Sequence, residues 1–238
     1  MTTQATLTQL AQDVAELSVL FNGEGSPFSC AVQEGDHRLV VVAGPNASGK
    51  SVFVQILAAW GRKEPYNWSP VTVSIRERTG SGLSEMAGMR RMFMYGDESE
   101  QSTGATSVGV TLNGFKNIWT ENPEKPRLLV LDEPDMGLSE DYAFAMGQLI
   151  AEETLAAFPE GKRCSGVVVV THSRKLVEGI RAAGVAPGFV AMEDALTLDE
   201  WLASSKHRTL EELKNLSALG HERHRQVREM VKARKNAA

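Results

Sequence analysis

The stretch from residue 39 to residue 60 constrains the fold of this chain most strongly. Five consecutive apolar residues, 39–43, precede a short loop, and a segment with helical periodicity follows it. The loop reads G-x-x-x-x-G-K-S, a pattern that needs a strand before it and a helix after it. We therefore predict a strand, a phosphate-binding loop and a helix, in that order. The loop residues are Gly44, Pro45, Asn46, Ala47, Ser48, Gly49, Lys50 and Ser51.

The chemistry of this loop suits a bound phosphate. Its backbone N–H groups can surround the phosphate oxygens, and the dipole of the following helix attracts negative charge. Lys50 would reach the β- and γ-phosphate oxygens, and the Ser51 hydroxyl would bind magnesium. The alternative is a glycine-rich turn without a ligand, against which two further motifs downstream count.

Two more apolar runs end in residues that can carry chemistry. Residues 128–131 lead into Asp132 and Glu133, and residues 167–170 lead into Thr171 and His172. The carboxyl ends of parallel strands form the ligand-binding edge of such a sheet. We expect Asp132 to order the magnesium near Ser51. Glu133 would act as the general base for the attacking water, and His172 would contact the γ-phosphate or that water. For Asp132 and Glu133 the alternative is a solvated helix cap, and for His172 it is a structural histidine.

The three motifs, GPNASGKS, LLVLDEP and VVVVTH, resemble in this order those of the ABC-type ATPases. That family includes transporter nucleotide-binding domains, SMC-like repair ATPases and stand-alone bacterial and phage ATPases. The resemblance covers roughly residues 27–193. It implies a P-loop NTPase fold, an α/β architecture with a mostly parallel central sheet flanked by helices. It also implies ATP and Mg²⁺ as cofactors, ATP hydrolysis, and a homodimer that encloses ATP between two copies.

A second set of residues is assigned through the same resemblance. Residues 102–104 resemble the family's signature motif, so Ser102 and Gly104 are expected to bind the nucleotide of the partner copy. A polar loop is the alternative, because the match to L-S-G-G-Q is poor. Residues 135–139 occupy the place of the loop through which the two subunits communicate. Phe21 and Phe28 are candidates for stacking on the adenine.

Two departures from the family pattern matter. No glutamine follows the predicted strand at 71–75, where the family usually has one; Arg76 or Glu77 stands near that place. The segment between the helix that follows the loop at 44–51 and Ser102 is too short for the long coiled coil of SMC proteins. The resemblance therefore favours the SMC-like or stand-alone branch without a long coiled coil.

Helical periodicity also predicts helices at 4–21, 104–119 and 139–158. For 104–119 a strand is the alternative, because Gly109, Gly114 and several β-branched residues lower the helix propensity. For 4–21 the alternative is a helix that binds a partner. Each helix has an apolar face that should contact the core. The expected core residues are Leu7, Leu10, Val14, Leu17 and Phe21 in the first helix, Val108, Leu112, Phe115 and Trp119 in the second, and Tyr142, Phe144, Ala145, Leu149, Ile150 and Leu155 in the third.

Domain organisation follows from the same patterns. We predict one ATPase domain over residues 1–196, with an insertion at 62–126 that carries the signature, and a helical extension over 197–238. The end of this extension is basic. It is either a solvated face or a contact for nucleic acid or an acidic partner. The net charge of −5 gives the whole chain no attraction for nucleic acid, so such a contact would be local.

Composition limits the remaining possibilities. The chain shows no basic segment followed by an apolar block at its start, and its apolar runs are too short to span a membrane. Cys30 and Cys164 lack metal-like spacing, which fits a reducing cytoplasm. The favoured hypothesis is a cytoplasmic ATPase, not inserted in a membrane, that acts on nucleic acid or a separate partner protein. One alternative is the nucleotide-binding subunit of an ABC transporter. The other is an ATP-locked scaffold without catalysis, and the presumed base Glu133 argues against it.

Overall fold

One six-stranded sheet organises the part of the chain that the structure, a computed structural model, describes: residues 6–74, 102–118, 126–158, 166–204 and 207–237. The order across the sheet is β1-β6-β2-β5-β4-β3. Strand β1 runs antiparallel to β6, and all the other neighbours are parallel. The strands are β1 (Cys30–Gln33), β2 (Asp36–Ala43), β3 (Ser69–Ser74), β4 (Arg127–Asp132), β5 (Gly166–Thr171) and β6 (Pro187–Met192).

Helices cover both faces of this sheet. Successive side chains of a strand lie on opposite faces of the sheet. In β2, Val40 and Val42 therefore belong to one apolar cluster, and Leu39 and Val41 belong to another. The first cluster includes α1 and α2, and the second includes α3 to α6. The predicted α/β class, with a mostly parallel sheet flanked by helices, is confirmed. The helices are α1 (Leu7–Leu17), α2 (Lys50–Gly61), α3 (Thr103–Ile118), α4 (Glu140–Ala157), α5 (Arg174–Ala182), α6 (Leu198–Ala203) and α7 (Leu210–Ala237).

The central strands carry unbroken apolar runs because both faces of the sheet are covered. Every residue of β5 and β6 is buried, as expected of parallel strands between two helical layers. The central strands predicted at 128–131 and 167–170 are confirmed as β4 and β5. In the sheet register Ala43 pairs with Thr171 and Asp132 pairs with Val170. Strands β2, β4 and β5 therefore end at nearly the same level, and the loops that follow them are neighbours.

Helices α4 and α5 make the closest helix contact described. A Cβ added at Gly147 would lie 1.9 Å from the carbonyl oxygen of Leu176, and one at Gly179 would lie 2.0 Å from that of Phe144. Only glycine permits two backbones to approach this closely. Because α5 begins directly after the 172–173 turn, this contact also fixes the position of that turn.

The first helix is shorter than the predicted span of 4–21. The Thr6 hydroxyl caps its start by accepting a hydrogen bond from the Gln9 backbone, and the chain becomes extended at Ser18. Phe21 is buried, but it lies in the turn after the helix. Leu17 is 65% exposed, so its assignment to the core was wrong. The break at Ser18 redirects the chain and brings Phe21, rather than Leu17, into the core.

The predicted faces of α3 and α4 were also partly wrong. Phe115 and Ile150 are buried as expected, but Tyr142 is 69% exposed and Ala145 and Leu155 are also exposed. Small residues occupy much of the buried surface instead, because the helix axes lie close to their neighbours. In α3 these are Gly104, Thr106, Ser107, Thr111 and Gly114, and in α4 they are Ala143, Gly147, Ala151 and Thr154. Trp119 lies outside the described residues.

The C-terminal extension is not wholly helical as predicted. Ser204 and residues 207–209 are not helical, and they separate α6 from α7. Each helix has its own capping arrangement, Thr197 with Glu200 and Thr209 with Glu212, so each begins independently. Arg76, Glu77 and Cys164 lie outside the described residues. Within the described ranges, no helix has both the length and the apolar character that crossing a membrane requires.

Candidate functional site

The loop at residues 44–51 connects β2 to α2 and lies tightly against its surroundings. Gly49 has a φ of 95°, in the left-handed region that favours glycine. A Cβ at this position would lie 2.6 Å from the ring of Phe28. At Gly44 a Cβ would lie 2.7 Å from the Cβ of Met192. Both glycines of the sequence pattern are therefore required by close packing, on Phe28 and on the end of β6.

Hydrogen-bond donors gather inside this loop. Gly49 precedes α2 and provides no side-chain cap, and the N–H groups of the first helical turn point towards the loop side of the helix. The Lys50 side chain is buried, and its Nζ donates to the carbonyl oxygens of Gly44 at 2.7 Å and Pro45 at 2.8 Å. The hydroxyl of Ser48 is buried and has no hydrogen-bond partner among the described residues. An ammonium group, a hydroxyl and a helix N-terminus in one loop suit a phosphate group.

Glu133 takes an unusual backbone conformation directly after β4. Its φ is 54°, which is uncommon for a residue with a Cβ and concentrates at functional sites. The Glu133 backbone N–H donates to the carbonyl oxygen of Val170 at 2.9 Å, which attaches this turn to β5. Its side chain is only 12% exposed, and Oε1 lies 3.6 Å from Nδ1 of His172. The backbone thus turns the carboxylate towards the neighbouring strand end.

His172 follows β5 and faces Glu133. Their separation of 3.6 Å fits an ion pair but is longer than a hydrogen bond. Interaction with the Glu133 carboxylate raises the pKa of His172, and Asp135 acts in the same direction, whereas burial and Lys50 oppose the increase. Thr171 stabilises the turn, since its hydroxyl accepts from the Ser173 N–H at 2.9 Å. A raised pKa favours the imidazolium, which can donate hydrogen bonds to an anion from both ring nitrogens.

The structure brings most of the predicted residues to one edge of the sheet. Asp132 is the last residue of β4, and residues 44–51, Glu133 and His172 follow the carboxyl ends of the adjacent strands β2, β4 and β5. Ser51 and Asp132 offer a hydroxyl and a carboxylate, hard oxygen ligands that suit Mg²⁺. Among the described residues, no group of three or more His, Cys, Asp or Glu side chains forms a metal cluster. A magnesium ion here would therefore take its remaining ligands from phosphate oxygens and water, as it usually does.

Ser102 and Gly104 lie at the start of α3, where their described contacts are with α3 and residues 137–138. The Ser102 hydroxyl accepts from the Ala105 N–H at 3.3 Å, and so caps the helix. A Cβ at Gly104 would lie 2.9 Å from the carbonyl oxygen of Gly137. The Ser107 hydroxyl also donates to the carbonyl oxygen of Met136 at 2.7 Å. The start of α3 is thus fixed to the turn that follows Glu133.

One neighbour of the loop was not predicted, namely α7. A cleft of about 250 Å³ separates residues 46–52 from this helix, with Phe28 on its wall. The guanidinium of Arg223 lies 5.7 Å from the centre of the Phe28 ring, and Arg223 donates to the carbonyl oxygen of Pro27. Five half-buried residues of α7 recur at spacings of four and three, and this periodicity was the available sequence signal. They are Leu216, Gly220, Arg223, Val227 and Met230, and Glu222 and Gln226 are half-buried beside them.

Fold and site together define an α/β protein whose six-stranded, mostly parallel sheet is compatible with a P-loop fold. No protein-family model matches the chain. The chain is 26% identical over 170 residues to the DNA mismatch repair protein MutS of Chlamydia muridarum, covering 68% of this chain and 18% of that protein. It is 25% identical over 150 residues to the protein of the same name from Thermotoga petrophila, covering 61% of this chain and 16% of that protein. The matched region is less than a fifth of the length of these relatives.

Proposed function

We propose that this protein binds ATP with Mg²⁺ and hydrolyses it to ADP and phosphate. The observation that carries the proposal is the convergence of residues 44–51, Asp132, Glu133 and His172 at one edge of the sheet. A phosphate-binding loop beside a carboxylate pair and a histidine supplies the groups that phosphoryl transfer to water needs. The partial similarity to two MutS proteins supports an ATP-binding function related to DNA repair.

Residues of the loop bind the phosphates in this mechanism. The N–H groups at the start of α2 donate to the phosphate oxygens, and the Lys50 ammonium exchanges the carbonyl oxygens of Gly44 and Pro45 for β- and γ-oxygens. Ser51 and Asp132 would hold Mg²⁺, which supplies positive charge against the phosphate oxygens. Phe28, beside Gly49, offers a ring on which the base can stack.

Glu133 acts as the general base in this mechanism. Its carboxylate accepts a proton from the water that attacks the terminal phosphate. His172 lies across the strand end from Glu133, where its imidazolium can donate a hydrogen bond to the γ-phosphate. The turn at Glu133 is attached to β5 through Val170, so the two side chains keep their relative position.

The site is completed by a second copy in this proposal. Ser102 and Gly104 of one copy would contact the γ-phosphate bound to the other, so ATP would hold a homodimer together. Gly104 packs on Gly137, four residues after the proposed base, which gives the signature a direct physical connection to that turn. Occupancy in one copy can then be sensed at the catalytic turn of its partner.

We also propose that the cycle acts on DNA, directly or through a separate partner protein. The relatives are named for DNA mismatch repair. Helix α7 presents exposed basic side chains at Arg225, Arg228 and Lys232, which can contact phosphates of a duplex. For this role we propose a cytoplasmic location.

Phosphate release from Mg²⁺ and ATP tests the catalytic assignment. Glu133→Gln preserves the shape of the side chain but removes the base, so we expect hydrolysis to fall about 100-fold while ATP still binds. Glu178→Gln, at a partly exposed position on α5, is the matched control and should keep the native rate. A Glu133→Gln protein that releases phosphate at the native rate would rule out this mechanism.

A further inference from the structure

Helix α7 lies across the side of the phosphate loop where a base would stack. Gly220, Arg223, His224 and Val227 form one wall of the 250 Å³ cleft, and residues 46–52 form the other. Val227 and Met230 pack on the apolar cluster that contains Phe28 and Phe53. The helix is therefore docked on the nucleotide side of the domain, although it follows the last strand.

The Phe28 ring is buried, and three groups lie against it. Gly49 lies against the ring, as the 2.6 Å separation of an added Cβ shows, and the ring of Phe21 stacks at 5.8 Å. The guanidinium of Arg223 covers the ring from α7 at 5.7 Å. A base inserted between Phe28 and Arg223 would need two contacts of about 3.5 Å, so about 7 Å in all. The base and Arg223 therefore compete for the same place.

The hydrogen bonding between α7 and the rest of the domain is also incomplete within the described residues. Among the described side chains of this helix, none is fully buried. The Nε of Arg223 and the Oε1 of Gln226 are buried, and neither has a hydrogen-bond partner within the described part of the chain. Buried polar atoms without partners reduce the stability of a contact. The helix is thus held by a few half-buried side chains, with Arg223 among them.

We infer that α7 is a gate on the nucleotide site: Arg223 occupies the stacking face of Phe28, and nucleotide binding displaces the helix. This inference rests on the proposed function and adds a form of regulation to it. Because coupling between two events is reciprocal, anything that holds α7 away from the loop raises nucleotide affinity. A duplex or partner bound to the basic face of α7 is placed to exert that effect.

Titration of the full chain with ADP and Mg²⁺ tests the gate, since ADP lacks the γ-phosphate that the proposed dimer requires. Arg223→Ala should bind ADP about fivefold more tightly, because the competing cation–π contact and the hydrogen bond to Pro27 are lost. Arg223→Lys, which keeps the charge without the planar group, should change affinity in the same direction by about twofold. Lys214→Ala, an exposed change of equal charge on the same helix, should leave the affinity unchanged.

Hydrogen exchange provides the second readout. Amides of residues 216–230 should exchange faster when ADP is bound to the native chain, because the helix has left the loop. Equal or weaker ADP binding by folded Arg223→Ala, or unchanged exchange in α7, would overturn the gate while leaving the ATPase proposal intact. A native chain that binds neither ADP nor ATP would instead overturn the proposed function, and the gate with it.

Discussion

The edge of the sheet that carries the loop at residues 44–51 and the helix α7 beside it differ in how their positions are determined. At the sheet edge, each candidate residue lies at the end of an apolar strand or directly after it, and parallel register places the strand ends side by side. Helix α7 depends instead on contacts such as that of Arg223 with Pro27, which are 196 residues apart. Local geometry therefore fixes the first region, whereas weak long-range packing positions the second.

This difference predicts unequal responses to substitution, and the largest response should come from Lys50. Lys50→Ala removes a buried ammonium that would form charge-assisted bonds with two phosphate groups, so ATP affinity should fall at least about 100-fold. Calorimetric titration with ATP and Mg²⁺ measures this loss. Lys63→Ala, on the exposed turn after α2, is the control and should bind like the native chain. If Lys50→Ala bound ATP within about twofold of the native value, the loop would not be a phosphate site.

Two glycine substitutions compare the regions directly through stability. Gly49→Ala places alanine in a left-handed backbone conformation and its Cβ against Phe28. It should therefore lower the free energy of unfolding by about 1–3 kcal/mol. Gly220→Ala lies inside α7 with no atom within 4 Å of the added Cβ, and it should raise the stability of that helix by about 0.5–1 kcal/mol. Urea unfolding of the three proteins gives both values. Effects of the same sign would contradict the contrast between the tightly packed loop and the loosely docked helix.

The smallest expected response concerns the charges of α7. A double change, Arg228→Ala with Lys232→Ala, removes two exposed charges one turn apart and should weaken duplex binding several-fold. The slope of log affinity against log salt should fall by up to about 2, because each lost phosphate contact contributes about 0.9. Fluorescence anisotropy with a labelled duplex provides the measurement, and Lys175→Ala on α5 serves as the control. An unchanged salt slope would remove DNA contact from the role of α7.

Residues that lie in strands were predictable because burial on both faces leaves an unbroken apolar run, as at 128–131 and 167–170. The position of Glu133 and His172 at the same edge followed from that prediction. The buried face of α3 was not predictable in the same way, since Gly104, Ser107 and Gly114 carry no hydrophobic signal. They are buried because α3 lies close to the sheet and to Gly137, which depends on the tertiary fold. The docking of Arg223 on Phe28 was missed for the related reason that a basic residue usually indicates solvent.

In the proposed dimer, Ser102 and Gly104 of one copy complete the phosphate-binding loop of the other when ATP is bound. The most direct test is the molar mass of Glu133→Gln in solution, measured by light scattering with ATP and Mg²⁺, with ADP and Mg²⁺, and without nucleotide. Because this variant should bind ATP without hydrolysing it, we predict a stable dimer with ATP and a monomer in the other two conditions. A protein that binds ATP and remains monomeric at the same concentration would show that no second copy completes the site.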